Sequence, residues 1–274
     1  MESSPRQSAA PAPLLRRRDV AGVATLTLDS LASRNALSLA MIAALSEALA
    51  EIADTPRVRA VIIAGEGPVF SSGHDLREMA AHRNDRDGGK EFYETLMRAC
   101  AQMMQAIVDL PKPVVAAVEG IATAAGCQLV ATCDLAFAGQ GARFALPGVN
   151  LGLFCSTPLV AVARTISRKH AMELALTGAL YPADEAERFG LVNRVVRAGE
   201  ALAQAQATAA GLAARSATTL AIGKRTFYQQ AELGLSDAYV VASRAMVDNL
   251  LEADADEGIG AFLEKRAPRW ESEG

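Results

Sequence analysis

The feature that most restricts how this chain can fold is a change of hydrophobic rhythm partway along it. Short strand-like runs alternate with helical periods over the first half, and helical periods dominate from Pro158 onward. Val23-Ala-Thr-Leu-Thr-Leu28 alternates apolar and polar residues, the period of a half-buried strand. Ser38 then offers an N-cap, and Ile42, Leu45, Leu49 and Ile52 fall on one face of the helix it opens. Strands are predicted at Val58–Ala64, Val114–Val118 and Asp134–Ala138, and a long helix from Glu91 to about Asp109, broken by Pro111-Lys-Pro113. Pro182 opens a short helix, and residues 199–265 carry helix pattern almost throughout. Strands interleaved with helices and then helices alone specify an α/β fold with a helical C-terminal appendage. The sequence has no internal repeat.

The chain has 274 residues, of which 51% are hydrophobic and 21% charged, so it can bury a sizeable core. With 27 basic and 31 acidic residues its net charge is −4, which favours neither nucleic acid nor an anionic membrane as a partner. No run of roughly 18 apolar residues is present to span a membrane. Residues 1–18 mix Ser, Pro, Ala and Arg without the apolar centre of a secretory signal, and read as a disordered tail. Arg16, Arg17 and Arg18 hint at an organellar presequence, but Glu2 and the short length argue against one. The expectation is a cytoplasmic protein divided into a tail (1–18), a core domain (19–205) and a C-terminal helical region (206–274).

Cys100, Cys127, Cys133 and Cys155 show no C-x-x-C spacing, and His74, His82 and His170 are scattered. Neither a zinc nor a redox motif is predicted, and the thiols read as reduced and packed. Chemistry is instead suggested by two small-residue segments. Phe70-Ser-Ser-Gly-His-Asp-Leu76 is a tight loop, and Gly120-Ile-Ala-Thr-Ala-Ala-Gly-Cys-Gln128 leads from an apolar run into a helix. Loops and helix N-termini present unsatisfied N–H donors, and the helix end favours negative charge. The alternative is that Gly73 and Gly126 only allow strand and helix to pack closely.

Several stretches together resemble the crotonase superfamily, the enoyl-CoA hydratase/isomerase family. They are Ser33-Arg-Asn-Ala-Leu37, the loop 70–76, Pro113-Val-Val-Ala-Ala-Val-Glu-Gly120, Ala124-Ala-Gly-Cys-Gln128 with Cys133-Asp134, and Phe144-Ala-Leu-Pro147 with Gly152. Asp256-Glu-Gly258 and Ala261–Arg266 complete a set that extends over about residues 19–270. Ala122–Leu129, Pro147–Asn150, Gly152–Pro158 and Ala245–Leu250 are similar to one subgroup of that family. The resemblance implies a crotonase (ClpP-like) spiral of ββα units with a helical trimerisation region, assembled as a homotrimer or as a hexamer formed by a dimer of trimers.

The resemblance also implies a ligand, an acyl-CoA thioester, with CoA as part of the substrate and no separate cofactor or metal. By position, the backbone N–H groups of His74 and Ala125 would form an oxyanion hole for the thioester oxygen. Hydratases of the family use two glutamates for proton transfer, and the matching positions here are Gln128 and Gly148; a third acidic position, used in some isomerases, falls near Ser156. An amide and a glycine do not exchange protons usefully, so ordinary hydration is expected to be severely reduced or lost.

Arg34 would lie near the CoA phosphates, and Ser72, Asp75 and Leu76 along the adenine and pantetheine. Cys155 and Ser156 would line the acyl pocket, while Phe262 and Lys265 would reach a neighbouring subunit's ligand. Lys265-Arg266 equally reads as a helix C-terminal cap. The His74 imidazole reads as a polar rim group, with a general base as the alternative. Glu119, Asp75, Asp134 and Glu78 read as solvent-facing or capping carboxylates, with Glu78 also able to reach the pocket. A non-catalytic acyl-CoA binding protein is the competing interpretation.

Overall fold

A computed structural model describes residues 13–270. The chain runs β1 (Leu15–Val20), β2 (Val23–Leu28), α1 (Leu39–Ala53), β3 (Ala60–Gly65), β4 (Val69–Ser71), α2 (Leu76–Ala81), α3 (Lys90–Asp109), β5 (Val114–Val118), β6 (Ile121–Thr123) and α4 (Ala125–Thr132). It continues through β7 (Leu135–Gly139), β8 (Arg143–Ala145), α5 (Ser156–Thr165), α6 (Arg168–Thr177), β9 (Tyr181–Pro182), α7 (Ala183–Phe189) and β10 (Arg194–Val196). Four helices close it: α8 (Ala201–Ala213), α9 (Ala217–Ala231), α10 (Leu235–Leu250) and α11 (Ala253–Glu264).

The strands form two sheets, in the orders β1-β2-β3-β5-β7-β10 and β4-β6-β8-β9. Consecutive strands divide between them: β3, β5 and β7 enter the large sheet, and β4, β6 and β8 enter the small one. Helical segments follow each pair, so the chain winds as a spiral of ββα turns. Pairing is parallel except for β1 with β2 and β8 with β9. This is the crotonase architecture expected from the sequence.

The large sheet is covered on both faces, which explains the continuous apolar runs of β3 and β5. Val61, Ile63, Val114 and Ala116 point into the main core beside Leu45, Leu49 and Ile52 of α1 and Met103 and Ile107 of α3. Ala60, Ile62, Ala64, Val115 and Ala117 point the other way, against Ala205 and Ala209 of α8. Ser38 caps α1 by accepting from the Met41 N–H at 3.2 Å.

Two expected boundaries move. The disordered tail predicted over 1–18 is contradicted at its end, because Leu15–Val20 pair in register with β2; residues 1–12 lie outside the described residues. This edge strand has no apolar alternation because β2 alone pairs with it, and its arginines are held by carboxylates: Arg17 meets Asp19 at 2.8 Å and Glu51 at 3.0 Å, and Arg16 meets Asp29 and Glu66. The division at residue 205 falls inside α8, whose Ala205 and Ala209 pack on the same sheet. The helical appendage therefore begins with α9.

α9 and α10 bury no residue completely. α9 is held to the core by Lys224, which donates to Asp134 at 2.8 Å and to the carbonyls of Ile107 and Lys112, and by Tyr228, whose hydroxyl donates to Asp134 at 2.8 Å. No helix among the described residues is long and apolar enough to cross a membrane.

Candidate active site

The loop after β4 is shaped from beneath by Asn35, a fully buried residue at φ 53°. Asn tolerates this left-handed conformation better than most residues. Its Nδ2 donates to the carbonyls of Glu66 (2.9 Å) and Val69 (2.7 Å), and its Oδ1 accepts from the Ser30 N–H (2.8 Å). The Ser72 N–H donates to the Arg34 carbonyl and the Leu37 N–H to the Gly73 carbonyl. The segment carrying Arg34 and the segment carrying His74 are thus stitched together. Gly73 supplies the turn at φ 87°.

α4 starts abruptly. Ala124 sits at φ 50°, ψ −120°, a strained backbone for a residue with a Cβ, and offers no side-chain cap. Its N–H donates to Ala145 and its carbonyl accepts from Gln128, both at 3.0 Å. A Cβ placed on Gly73 would stand 2.8 Å from the Ala124 Cβ and 3.1 Å from the Ala125 nitrogen; one on Gly126 would collide with the Ser71 carbonyl. The two glycines do permit close packing, and that packing brings the residue before His74 against the start of α4. Neither the His74 N–H nor the Ala125 N–H has a hydrogen-bond acceptor among the described residues.

The side chains of His74, Gln128, Cys127 and Cys155 are neutral. Burial pushes the His74 imidazole down to about 4, and its Nε2 is buried without a partner. Gln128, on the first turn of α4, is buried and its Oε1 is likewise unpartnered. Gly148 is buried in a 3-10 turn (Pro147–Leu151), where its N–H donates to the Cys155 sulfur at 3.3 Å. Burial raises the Cys155 thiol, against a smaller opposing pull from that N–H, and raises Cys127 to about 12. These are packed thiols without thiolate character. Ser156 is exposed at the start of α5.

The carboxylates proposed around the site are engaged elsewhere. Asp75 caps α2 by accepting from Arg77 (2.8 Å) and Glu78 (3.4 Å). Glu78 accepts from the Leu39 N–H at the start of α1, and Glu119 from the Ala201 N–H at the start of α8. Asp134 receives Lys224 and Tyr228. No group of three or more His, Cys, Asp or Glu suited to a metal ion occurs among the described residues.

Arg34, Ser72, His74, Asp75 and Leu76 line one cleft of about 360 Å³. Arg77 joins them, a second guanidinium that the sequence reading missed because only folding brings it to the same cleft as Arg34. Asn35 was missed as well; its place inside Ser33–Leu37 was the available signal. Phe262 and Lys265 do not line this cleft. Both are exposed on the appendage, Phe262 at 81%, and Lys265 ends α11 in the left-handed conformation.

A two-sheet ββα spiral with paired N–H donors at a loop and a helix start defines a protein of the crotonase class. The sequence model for enoyl-CoA hydratase/isomerase matches residues 18–273. Rat enoyl-CoA hydratase domain-containing protein 3, mitochondrial, is 44% identical over 269 residues, 98% of this chain and 86% of the relative. The human protein of that name is 43% identical over 272 residues, 99% of this chain and 86% of the relative. The crystal structure of the human protein superposes with a TM-score of 0.89 at 43% identity, covering 94% of this chain and 100% of that one. A Mycobacterium smegmatis enoyl-CoA hydratase gives 0.90 at 48% identity, covering 94% and 99%. The chain belongs to the enoyl-CoA hydratase/isomerase family.

The expectation of a cytoplasmic protein is overturned, since the rat, human and mouse relatives are mitochondrial by name. That expectation rests on the composition of residues 1–18. Arg16, Arg17 and Arg18, weighed there as a hint of a presequence, lie in the edge strand β1.

Proposed function

We propose that this protein binds acyl-CoA thioesters and polarises the thioester carbonyl through the N–H groups of His74 and Ala125. The observation that carries this reading is the pair of unsatisfied donors on abutting segments, Gly73-His74 and Ala124-Ala125. Donors fixed before reaction stabilise developing enolate charge without reorganisation, and loss of one such donor typically costs about 3 kcal/mol in the transition state. Arg34 and Arg77 suit the CoA phosphates, with Ser72 and Leu76 flanking the path between. Cys155 and Ser156 border the acyl end. CoA arrives as part of the substrate, and no separate cofactor enters the reading.

Ordinary hydration is not the reaction we assign. It needs a group that exchanges protons near neutral pH. Gln128 and Gly148 stand where such groups would be, and Asp75, Glu78, Glu119 and Asp134 are occupied as caps or ion pairs. Those occupied carboxylates also favour the second reading, thioester binding without turnover. Lyase or isomerase chemistry would have to draw its proton transfer from the substrate.

The protein is proposed to assemble as a homotrimer or a dimer of trimers. α9–α11 expose Leu235, Tyr239, Leu251 and Phe262 at 68–81%, an apolar surface of the kind that marks an interface. Phe262 and Lys265 would then approach a neighbour's ligand. Incubation with enoyl-, β-keto- and malonyl-type CoA esters, followed by mass, tests the activity, and calorimetric titration tests binding. Binding without any product supports the second reading. Absence of binding to every ester overturns both.

A further inference from the structure

Ser71 ends β4 and is fully buried although it is polar. Burying a hydroxyl is costly unless its hydrogen bonds are made. Ser71 Oγ both donates, to the Asn35 carbonyl at 2.8 Å, and accepts, from the Gly73 N–H at 3.3 Å. The Gly73 N–H has no other acceptor among the described residues. Gly73 sits at φ 87° and has no side chain to restrict its rotation, so the peptides on either side depend on such bonds for their orientation. The Ser71 hydroxyl holds the peptide before Gly73, and the Leu37 N–H holds the one after it, through the Gly73 carbonyl at 2.7 Å. That second peptide carries the His74 N–H.

The same serine bears on the other donor. A Cβ on Gly126 would stand 2.3 Å from the Ser71 carbonyl oxygen and 2.8 Å from the Ser71 Cβ, so α4 packs directly on Ser71 one residue after Ala125. Ser71 also pairs in register with Ala122 of β6, and Thr123 Oγ1 donates to the Ser72 carbonyl at 3.1 Å. We infer that Ser71 is a positioning residue, whose hydroxyl fixes the turn at Gly73 relative to the start of α4 and so aims the His74 N–H at the oxygen that the Ala125 N–H meets. This rests on the acyl-CoA reading of the site. Ser71 acts through Gly73 and touches no substrate. Its hydroxyl matters because donors polarise a carbonyl well only when held within roughly 0.5 Å of the productive geometry.

The test is infrared spectroscopy of butanoyl-CoA, isotope-labelled at the thioester carbonyl, free and bound to the intact protein, with calorimetric titration alongside. In the wild type the bound carbonyl band should lie below the free one. In Ser71→Ala the band should return most of the way to the free position, while affinity, carried largely by contacts along the CoA, weakens by less than about tenfold. Asp134→Ala, which removes a polar partner at α9 and not at this loop, should keep the full shift. A folded Ser71→Ala protein that binds the ester with the full wild-type shift overturns the inference, even if its stability falls. So does a folded Ser71→Ala protein that no longer binds, or a shift lost equally in Asp134→Ala. Should Ser71→Ala not fold, Ser71→Cys decides, since it keeps the size with a weaker hydrogen-bonding group: a reduced shift supports the role and a full one overturns it. No binding to the wild type, or binding without any shift, overturns the acyl-CoA reading itself.

Discussion

Gly73 and Ala124 lie in such close contact that a Cβ on the glycine would sit 2.8 Å from the alanine Cβ and 3.0 Å from the Thr123 carbonyl. One residue is at φ 87° and the other at φ 50°, ψ −120°. Two unusual backbones thus meet at the point from which the His74 and Ala125 N–H groups emerge. Gly73→Ala introduces both a left-handed alanine and a steric clash. It should cost about 2–3 kcal/mol in urea unfolding and weaken butanoyl-CoA binding by more than about tenfold. A variant with wild-type stability and affinity would show that the contact is incidental.

The His74 backbone and imidazole make separable predictions. His74→Ala keeps the N–H and should retain thioester binding. Burial holds the imidazole at about 4 in the fold, against roughly 6.5 when unfolded, so the unfolded chain binds the extra proton between these values. Stability from the neutral, buried ring is therefore complete above about pH 6.5 and declines as pH falls toward 4. With discount for partial exposure the loss is roughly 2 kcal/mol. Thermal scans at about pH 7 and about pH 4.5 should show a smaller drop for His74→Ala than for wild type; an equal drop would assign the acid sensitivity to other groups.

Restoring carboxylates at both altered positions is obstructed at one of them. A Cβ on Gly148 would fall 2.9 Å from the Cys155 sulfur and 3.0 Å from the Leu153 carbonyl. Gly148→Glu should destabilise by about 1–3 kcal/mol, and adding Cys155→Ala should recover part of this. Wild type should hydrate crotonyl-CoA negligibly. Gln128→Glu with Gly148→Glu and Cys155→Ala is expected to gain measurable hydration, read as loss of the enoyl absorbance. If the folded triple variant binds the ester and stays inert, the missing glutamates do not account for the inactivity.

Asp134 joins two elements through one carboxylate: it accepts from the Val114 N–H of β5 at 2.7 Å, and from Lys224 and Tyr228 of α9. The Lys224 side chain is only 8% exposed. Asp134→Ala strands a nearly buried ammonium, so about 3 kcal/mol should be lost and α9 should exchange its amides faster. On the proposed trimeric assembly, size-exclusion chromatography should show a weakened oligomer. Unchanged exchange in α9 would contradict this role.

The α/β class, the cap at Ser38 and the helical C-terminal half were legible because they rest on local periodicity and capping chemistry. The same periodicity that marks Ile42, Leu45 and Leu49 as one helix face fails for β1. Arg16, Arg17 and Arg18 carry no strand pattern, because an exposed edge needs only a neighbour's hydrogen bonds and nearby carboxylates. Glu78 and Glu119 were ambiguous for a similar reason. A carboxylate's partner can be a distant helix start, here Leu39 and Ala201, and nothing local announces it.

The amino-acid sequence by itself determined which groups are available: two small-residue turns, Gln128 and Gly148 in place of acids, and four thiols without a pairing motif. It determined these because residue identity sets proton chemistry and allowed backbone conformations. Only the tertiary structure decided what is free to act. It set Gly73 against Ala124, left two N–H groups and the Gln128 Oε1 without partners among the described residues, and committed the neighbouring carboxylates to helix starts and Lys224. Whether a polar group is satisfied depends on contacts between segments far apart in the chain, which the packing of the two sheets and α4 creates.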